Sequence, residues 1–200
     1  MIVKRIFDIL LSVTALILLS PLFLLLVVMI KLDSKGPVLF KQKRVGIHKR
    51  YFTILKFRTM KIDTPKDTAT HLLENPEQYL TKIGKYLRKT SLDELPQIWN
   101  ILVGEISFIG PRPALWNQYD LITERDKYGA NSVPPGLTGW AQINGRDELT
   151  IEEKAKLDGE YVAKIGFLID IRCFFGTLIR LFTTEGVVEG GTGTFKSKGN

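Results

Sequence analysis

Two adjacent carboxylates, Asp93 and Glu94, stand in the run SLDELPQ at residues 91–97 and are the side chains best suited to chemistry. A carboxylate can attack phosphorus as a nucleophile or act as a general base. Ser91 and Glu94 also have the spacing of a capping box, which would give both acids a structural role at a helix N-terminus. Pro96 weakens that interpretation, because a helix capped at Ser91 would lose a backbone hydrogen bond there. On this motif alone both interpretations are open.

Cationic residues elsewhere in the chain could bind an anion near these acids. Arg112 lies between two prolines in the run GPRP at 110–113, and because proline restricts the residue before it, this arm should be stiff. A fixed guanidinium can clamp a phosphate through two hydrogen bonds, although a rigid surface loop explains the prolines equally well. Lys56 ends a predicted strand and could pair with a diphosphate or with nearby acids. Arg88 lies on the basic face of a predicted helix that contacts either phosphates or water.

A glycine-rich run, PPGLTGWAQINGR at residues 134–146, could let the backbone approach a ligand closely. It matches neither a P-loop nor a dinucleotide-binding fingerprint. The sequence also lacks an Asp-x-Asp metal motif, a His-Glu-x-x-His motif and a recognisable Ser-His-Asp pattern. The single cysteine, Cys173, excludes an intramolecular disulfide and a cysteine-based metal cluster within one chain.

A hydrophobic segment precedes all of these motifs. Residues 9–30 carry no charge and are rich in Leu, Ile and Val, which is enough helix to cross a bilayer core of about 30 Å. Pro21 removes a backbone donor and clashes with the carbonyl of Ile17, at a cost of about 3 kcal/mol in a straight helix. We therefore predict a break at Ser20 and Pro21, where the Ser20 hydroxyl can satisfy a freed carbonyl. No signal-peptide cleavage site follows, so we expect the segment to be retained.

Both flanks of this segment are positively charged. Lys4 and Arg5 precede it, and several further cations follow within residues 31–44. A helix that enters the membrane, breaks and returns would keep both flanks on the cytosolic side, in agreement with the positive-inside tendency. A single-pass anchor with a proline kink is equally open on these residues alone.

The rest of the chain predicts an α+β fold that is mostly helical and contains a small β-hairpin. The hairpin strands are predicted at residues 36–43 and 51–57, which are rich in β-forming side chains, with a turn at 45–50. Apolar residues at helical spacing predict helices at 76–89, 93–102 and 113–128. A further amphipathic helix at 161–184 suits either the core or the membrane interface.

These predictions divide the chain into three parts. Residues 1–31 form the membrane helix, residues 32–184 form a cytosolic, membrane-associated catalytic domain, and residues 185–200 form a flexible or ligand-ordered tail. Within the domain, the polar residues 63–75 predict an exposed loop that could move over a site.

The formal net charge of +7 predicts an anionic partner, which could be nucleic acid, anionic lipid or a phosphorylated substrate. A membrane-anchored basic scaffold without catalysis would fit this charge, and a nucleic-acid binder would show steep salt dependence. No platform of interleaved aromatic and basic residues is evident, so we predict no nucleic-acid partner. A second enzymatic alternative is a metal-dependent phosphatase acting on lipid diphosphates.

Taken together, the motifs make this chain resemble the monotopic phosphoglycosyl transferases, a family of bacterial sugar transferases, over nearly its whole length. The family's helix-breaking Ser-Pro pair is matched by Ser20 and Pro21, which favours the re-entrant topology. The family fold, mostly helical with a small β-hairpin and several amphipathic interfacial helices, agrees with the predicted elements. Four motifs occur in order behind the broken helix: KFRTM at 56–60, SLDELPQ at 91–97, GPRP at 110–113 and PGLTGWAQ at 135–142.

The resemblance implies an enzyme at the cytoplasmic face of the bacterial inner membrane. It would transfer a sugar-1-phosphate from a UDP-sugar to undecaprenyl phosphate, releasing UMP and forming an undecaprenyl-diphosphate-linked sugar. This would be the first membrane step in the synthesis of a glycoconjugate such as capsule, exopolysaccharide, O-antigen or a glycoprotein glycan. Membrane lipids and downstream glycosyltransferases are implied as further partners.

The same resemblance implies roles for individual residues. Asp93 would be the nucleophile, forming a covalent phosphosugar intermediate, and would also hold Mg²⁺, the implied cofactor. Glu94 would assist as a base or as a partner of the metal site, and Arg112 would hold phosphate. Further anion-binding positions would be Lys56, Arg88 and Arg146.

Overall fold

The computed structural model describes residues 2–64, 76–145 and 148–182. Its helices are α1 (Ile2–Leu18), α2 (Ser20–Asp33), α3 (Lys82–Lys89), α4 (Gln97–Val103), α5 (Tyr119–Asp126), α6 (Trp140–Ile143), α7 (Ile151–Ala163) and α8 (Phe167–Phe182). Its strands are β1 (Leu39–Val45), β2 (Tyr51–Phe57), β3 (Ser107–Ile109) and β4 (Gly136–Thr138). The predicted mostly helical fold with a small antiparallel hairpin is confirmed. The predicted tail, most of the predicted 63–75 loop and Arg146 lie outside the described residues.

The N-terminal helix breaks where the sequence predicts. α1 and α2 meet at Leu19 with a bend of 62°. The Ser20 hydroxyl donates to the Ile17 carbonyl at 2.8 Å, which is the carbonyl that the ring of Pro21 would obstruct in a straight helix. Among the described residues no single helix has the length and hydrophobicity to cross a membrane, whereas the bent pair has both when its halves are taken together.

One side of α1 is polar and attaches the helix to the rest of the protein. Lys4 forms an ion pair with Asp170 on α8 at 2.5 Å. Arg5 donates to two backbone carbonyls at the C-terminal end of α4, at 2.5 and 2.7 Å. Asp8, only 6% exposed, accepts hydrogen bonds from the Ser107 hydroxyl and from the next backbone N–H. These contacts hold the bent pair beside β3 and α4.

The hairpin of β1 and β2 forms a rigid support close to α4. β1 begins at Leu39, three residues later than predicted, and continues to Val45. Its turn places His48 and Lys49 in the left-handed region, with φ of 52° and 59°. The buried Asn100 of α4 donates to a carbonyl of β2 and accepts from an N–H of the same strand, at 2.9 and 3.0 Å. Its side chain therefore couples α4 to the backbone of the hairpin.

Two predicted helices begin later than expected, because a local cap decides where each one starts. The helix predicted at 76–89 is a 3₁₀ turn followed by α3, whose first turn is capped by Thr81 accepting from the Gly84 N–H at 2.9 Å. The helix predicted at 93–102 begins only at Gln97, after Pro96 at the N-cap. The dyad residues before it form a separate 3₁₀ turn, Leu92–Glu94.

The last two predicted helices are also divided. Only Tyr119–Asp126 of the region 113–128 is α-helical, because the preceding residues pair with β1 through Leu115. The region 161–184 contains the end of α7 and, after Ala163, the separate helix α8. α7 starts at a capping box in which Thr150 and Glu153 exchange hydrogen bonds.

A short parallel sheet, absent from the sequence-based predictions, joins β3 to β4. Gly136 N donates to Pro111 O and Gly110 N donates to Thr138 O, both at 2.8 Å. A Cβ atom on Gly136 would lie 2.1 Å from Gly110 N. The glycines that the sequence suggested for approach to a ligand thus allow two backbone segments to approach each other.

Gly84 provides a test of how α3 is positioned. A Cβ atom on Gly84 would lie 1.9 Å from the Thr59 carbonyl oxygen, so Gly84→Ala should force α3 away from the segment that follows β2 and lower the free energy of unfolding by about 1–3 kcal/mol. Denaturation of the detergent-solubilised protein measures this. Gly166→Ala is the control, because its Cβ would meet no atom closer than 3.8 Å. Equal stability of the two variants would contradict the close packing of α3.

Candidate active site

Three segments that are distant in sequence meet at the carboxylate of Glu94. Glu94 Oε1 accepts from Lys56 Nζ and from Arg112 Nη2, each at 2.6 Å. Lys56 comes from β2, Glu94 from the 3₁₀ turn and Arg112 from the proline-flanked arm. Arg112 also donates to the carbonyl of Leu137 in β4 at 3.3 Å, so β4 helps to fix the position of the guanidinium. Charge-assisted contacts of this kind are the stronger class of hydrogen bond and fix both partners.

The local backbone explains how the two acids are presented. Ser91 adopts a left-handed conformation, with φ of 56°, and its side chain makes no capping hydrogen bond. The capping-box interpretation of Ser91 and Glu94 is therefore wrong, because Glu94 is turned towards Lys56 and Arg112 instead. A non-glycine residue in this region costs about 1–3 kcal/mol and is typical of functional sites.

Asp93 is the less neutralised of the two acids. It is 8% exposed, and Lys56 Nζ lies 4.0 Å from its Oδ2. Burial raises the pKa of Asp93, and the neighbouring charge of Glu94 acts in the same direction, while Lys56 opposes both. The ionised form of such a buried carboxylate is stabilised when a cation or an electrophilic phosphorus atom approaches it.

Glu94 has the opposite electrostatics. Burial alone would raise its pKa, but the charges and hydrogen bonds of Arg112 and Lys56 outweigh burial and hold the pKa of Glu94 well below its usual range. The pair is thus divided into Glu94, whose ionised form is stabilised by two cations, and Asp93, whose ionised form is disfavoured by burial. Such a division commonly separates the roles of neighbouring acids.

The other predicted anion-binding residues are placed differently. Arg88 lies in the last turn of α3 and its charge acts on Asp93, although among the described residues no carboxylate lies within ion-pair distance of its side chain. Arg146 lies outside the described residues. The structure therefore brings Lys56 and Arg112 into direct contact with the dyad and places Arg88 at its edge.

Arg44 on β1 contacts the arm that carries Arg112 and was not identified from the sequence as a site residue. Its Nε and Nη2 donate to Gln42 Oε1 at 3.1 and 2.6 Å, and its Nη1 donates to the Pro113 carbonyl at 3.0 Å. Burial and the charge of Arg112 lower the pKa of Arg44 to about 9, against the opposing effect of Glu94. The pairing of Gln42 with Arg44 could have been predicted from the sequence, because the alternation of a β-strand places residues 42 and 44 on the same face.

The donor set at the dyad suits one particular kind of metal site. Within the described ranges no three Asp, Glu, His or Cys side chains gather, so these residues offer no all-protein cage. Mg²⁺ is usually held by one or two carboxylates together with substrate phosphates. Asp93 fits that role, since its carboxylate is buried and Lys56 approaches it only to 4.0 Å, whereas Glu94 is occupied by its two cations.

Comparison with known proteins gives a consistent result over most of the chain. The model of the family described as bacterial sugar transferase matches residues 1–184. The sugar transferase EpsL of Bacillus subtilis (strain 168), itself uncharacterized, is 41% identical over 189 residues, which cover 94% of this chain and 92% of EpsL.

Two longer relatives carry substrate names. The undecaprenyl-phosphate glucose phosphotransferase of Komagataeibacter xylinus is 42% identical, over 90% of this chain and 36% of the relative. The UDP-glucose:undecaprenyl-phosphate glucose-1-phosphate transferase of Escherichia coli (strain K12) is 38% identical, over 91% of this chain and 40% of the relative. The chain thus corresponds to two fifths or less of each of these two proteins.

Proposed function

Because this chain is an enzyme of the bacterial sugar transferase family, we propose that it transfers a sugar-1-phosphate from a UDP-sugar to undecaprenyl phosphate. The observation that carries the proposal is the division of the dyad: Asp93 is buried and lightly paired, beside a Glu94 that is clamped by Lys56 and Arg112. The substrate names of the two longer relatives support a UDP-sugar donor and a polyprenyl-phosphate acceptor.

The reaction we propose has two displacements at one phosphorus. A carboxylate oxygen of Asp93 attacks the phosphorus that bears the sugar, and the bond from that phosphorus to the bridging oxygen breaks. The electron pair stays on that oxygen, so UMP leaves and an acyl phosphate links Asp93 to the sugar. A phosphate oxygen of undecaprenyl phosphate then attacks the same phosphorus, which frees the Asp93 carboxylate and forms the lipid-linked sugar diphosphate.

The surrounding cations divide the remaining tasks. Lys56 lies within reach of both acids, at 4.0 Å from Asp93 and 2.6 Å from Glu94, and we assign it to orient the nucleophile and to bind phosphate. Arg112 has a side chain that is 42% exposed, so a phosphate can approach the guanidinium while Glu94 holds it in place, and we assign it to phosphate binding. Arg88, whose charge acts on Asp93, is assigned to the sugar-bearing phosphate.

Mg²⁺ bound at Asp93 with the diphosphate would withdraw charge from the phosphoryl groups. Glu94 is better suited to anchoring than to accepting a proton, because its two cations keep it ionised. We therefore assign Glu94 to positioning Lys56 and Arg112 rather than to the role of a base that the family resemblance also allowed.

We also propose that the bent pair α1 and α2 is a re-entrant membrane segment, with both ends at the cytoplasmic face of the inner membrane. Large apolar side chains on the pair are exposed, including Leu10 at 60%, Leu18 at 72% and Leu24 at 67%, and such a surface requires an apolar environment. Basic residues flank both ends. The exposed apolar face of α8, with Phe167 at 72% exposure, would lie at the interface beside them.

Cysteine labelling tests the re-entrant topology. Val3→Cys and Lys35→Cys place thiols at exposed positions on the two flanks, and the native Cys173 is fully buried. A membrane-impermeant maleimide should label both variants in inverted membrane vesicles and neither in spheroplasts. Labelling of the two positions from opposite sides would instead establish a single-pass anchor.

UMP release tests the reaction itself. Detergent-solubilised protein is incubated with Mg²⁺ and a panel of UDP-sugars, with and without undecaprenyl phosphate. Multiple turnovers that require the lipid and one of the sugars are the expected result, and they identify the donor. Release of inorganic phosphate from lipid diphosphates without a nucleotide sugar would favour the phosphatase alternative. Folded protein with neither activity would favour the basic scaffold.

We further propose that this transfer is the first membrane step of glycoconjugate assembly, because its product is a lipid-linked single sugar. The hydroxyl groups of that sugar can accept further sugars, so the product suits the start of a longer glycan. Glycosyltransferases acting on the same lipid-linked sugar are therefore the expected downstream partners.

A further inference from the structure

The outer edge of β1 pairs with the arm that carries Arg112. Arg44 forms an antiparallel bridge with Leu115, and Val45 N donates to Ala114 O at 2.9 Å. This pairing begins two residues after Arg112, so the strand and the arm hold Arg44 and Arg112 at one rim of the site. The charge of Arg112 acts on Arg44, as expected for two neighbouring guanidinium groups.

Arg44 is held in place by neutral acceptors. Three of its N–H groups bind Gln42 Oε1 and the Pro113 carbonyl, and Gln42 is itself 8% exposed. Within the described parts of the chain no carboxylate lies within 4.0 Å of the Arg44 guanidinium. A guanidinium has five N–H groups, and within the described residues three of those of Arg44 have acceptors.

The local charge balance favours an anion at this rim. The negative charge of Glu94 is shared by Lys56 and Arg112, which leaves Arg44 as an additional, partly buried positive charge. A charged group that is withdrawn from water and has only neutral partners is stabilised when an opposite charge arrives. Phosphate is the anion whose geometry best matches the fork of a guanidinium.

The position of Arg44 selects one of the two phosphates of the donor. Arg44 Nη1 donates to the carbonyl of Pro113, the residue that follows Arg112. Arg112 in turn pairs with Glu94 at 2.6 Å, whereas the cation within ion-pair distance of Asp93 is Lys56, at 4.0 Å. These contacts place Arg44 on the Arg112 side of the dyad.

We propose that Arg44 binds the nucleotide-side phosphate of the donor and stabilises the charge that develops on it as UMP leaves. The attacked phosphorus must lie beside Asp93, so the next phosphate along the diphosphate is the one that extends towards Arg112 and Arg44. When the bridging bond breaks, its electron pair stays on the nucleotide-side oxygen, and a guanidinium there favours departure. This inference rests on the proposed function.

The two half-reactions separate this role from a structural one. In Arg44→Gln, UMP release by enzyme without lipid should slow by about 10- to 100-fold, and the inhibition constant of UMP should rise by a similar factor. Transfer from the isolated phosphosugar enzyme to undecaprenyl phosphate should keep its wild-type rate, because UMP has already left. Arg50→Gln removes an exposed arginine from the same hairpin and should change neither step.

Arg44→Lys keeps the test decisive if the glutamine variant does not fold. A lysine retains the charge and can reach the Pro113 carbonyl, but it loses the fork, so UMP binding should weaken by a smaller factor with the second half-reaction unchanged. Equal UMP inhibition constants in wild type and a folded Arg44 variant would overturn the inference, as would equal slowing of both half-reactions. If the wild type releases no UMP from any UDP-sugar, the proposed function itself fails, and this inference fails with it.

Discussion

Asp93→Asn should reduce turnover by at least about 10³-fold while leaving the thermal stability of the protein equal or higher. The loss of activity follows because an amide cannot form the acyl phosphate, and removal of a nucleophile typically costs this much or more. UMP release and thermal denaturation of the same purified sample measure the two effects. The combination is informative, because a variant that was merely misfolded would lose both.

The sign of the stability effect follows from the pKa of Asp93. Burial raises this pKa in the folded state, so the folded protein holds the proton more tightly than the unfolded chain does. Stability therefore falls as the pH rises from the unfolded pKa through the folded one, and at neutral pH the ionised carboxylate is a cost. Asparagine has the same shape without the charge and removes that cost.

A surface acid provides the control for Asp93. Asp126, at the end of α5, is exposed and pairs at 2.9 Å with Lys49 in the hairpin turn. Asp126→Asn should therefore retain full activity with little change in stability. An active Asp93→Asn protein would refute the assignment of the nucleophile.

Glu94→Gln should have a different signature, in which activity falls by about 10²-fold and stability falls as well. The amide keeps the shape of the side chain but leaves Lys56 and Arg112 without their shared counter-ion, so both cations lose their fixed positions. Because the folded-state pKa of Glu94 is lowered, its stabilising effect is present above the unfolded pKa, and the variant loses it at neutral pH. We expect a loss of about 1–3 kcal/mol in the free energy of unfolding.

An exposed ion pair provides the matched comparison for Glu94. Glu77 lies 3.6 Å from Lys85, and both side chains are more than half exposed, so Glu77→Gln should change stability by less than about 1 kcal/mol. If Glu94→Gln were as stable as wild type and turned over at the wild-type rate, the clamp of Lys56 and Arg112 would have no role in the site.

Features governed by neighbouring residues were predictable from the sequence. The break at Ser20 and Pro21 follows from a local clash and a local hydrogen bond. The hairpin follows from β-forming residues on both sides of a turn. Helix starts were less predictable, because Thr81 and Pro96 cap α3 and α4 within stretches whose hydrophobic spacing continues.

Features governed by contacts between distant segments were not predictable. The opposite electrostatics of Asp93 and Glu94 depend on which acid meets Arg112, and that contact joins residues 18 positions apart. The parallel sheet of β3 and β4 consists of two three-residue strands, too short for any pattern to identify. Arg44 could be placed beside Arg112 only once the arm was seen to pair with β1.

Intact-mass spectrometry of the enzyme mixed with its UDP-sugar and Mg²⁺, without lipid acceptor, tests the central claim most directly. The account predicts that the wild-type protein gains the mass of one sugar phosphate while releasing a stoichiometric amount of UMP, and that Asp93→Asn does neither. Peptide mapping should place the added mass on Asp93, and undecaprenyl phosphate should remove it. UMP formed only in the presence of lipid, with no added mass on the protein at any time, would contradict a covalent route through Asp93.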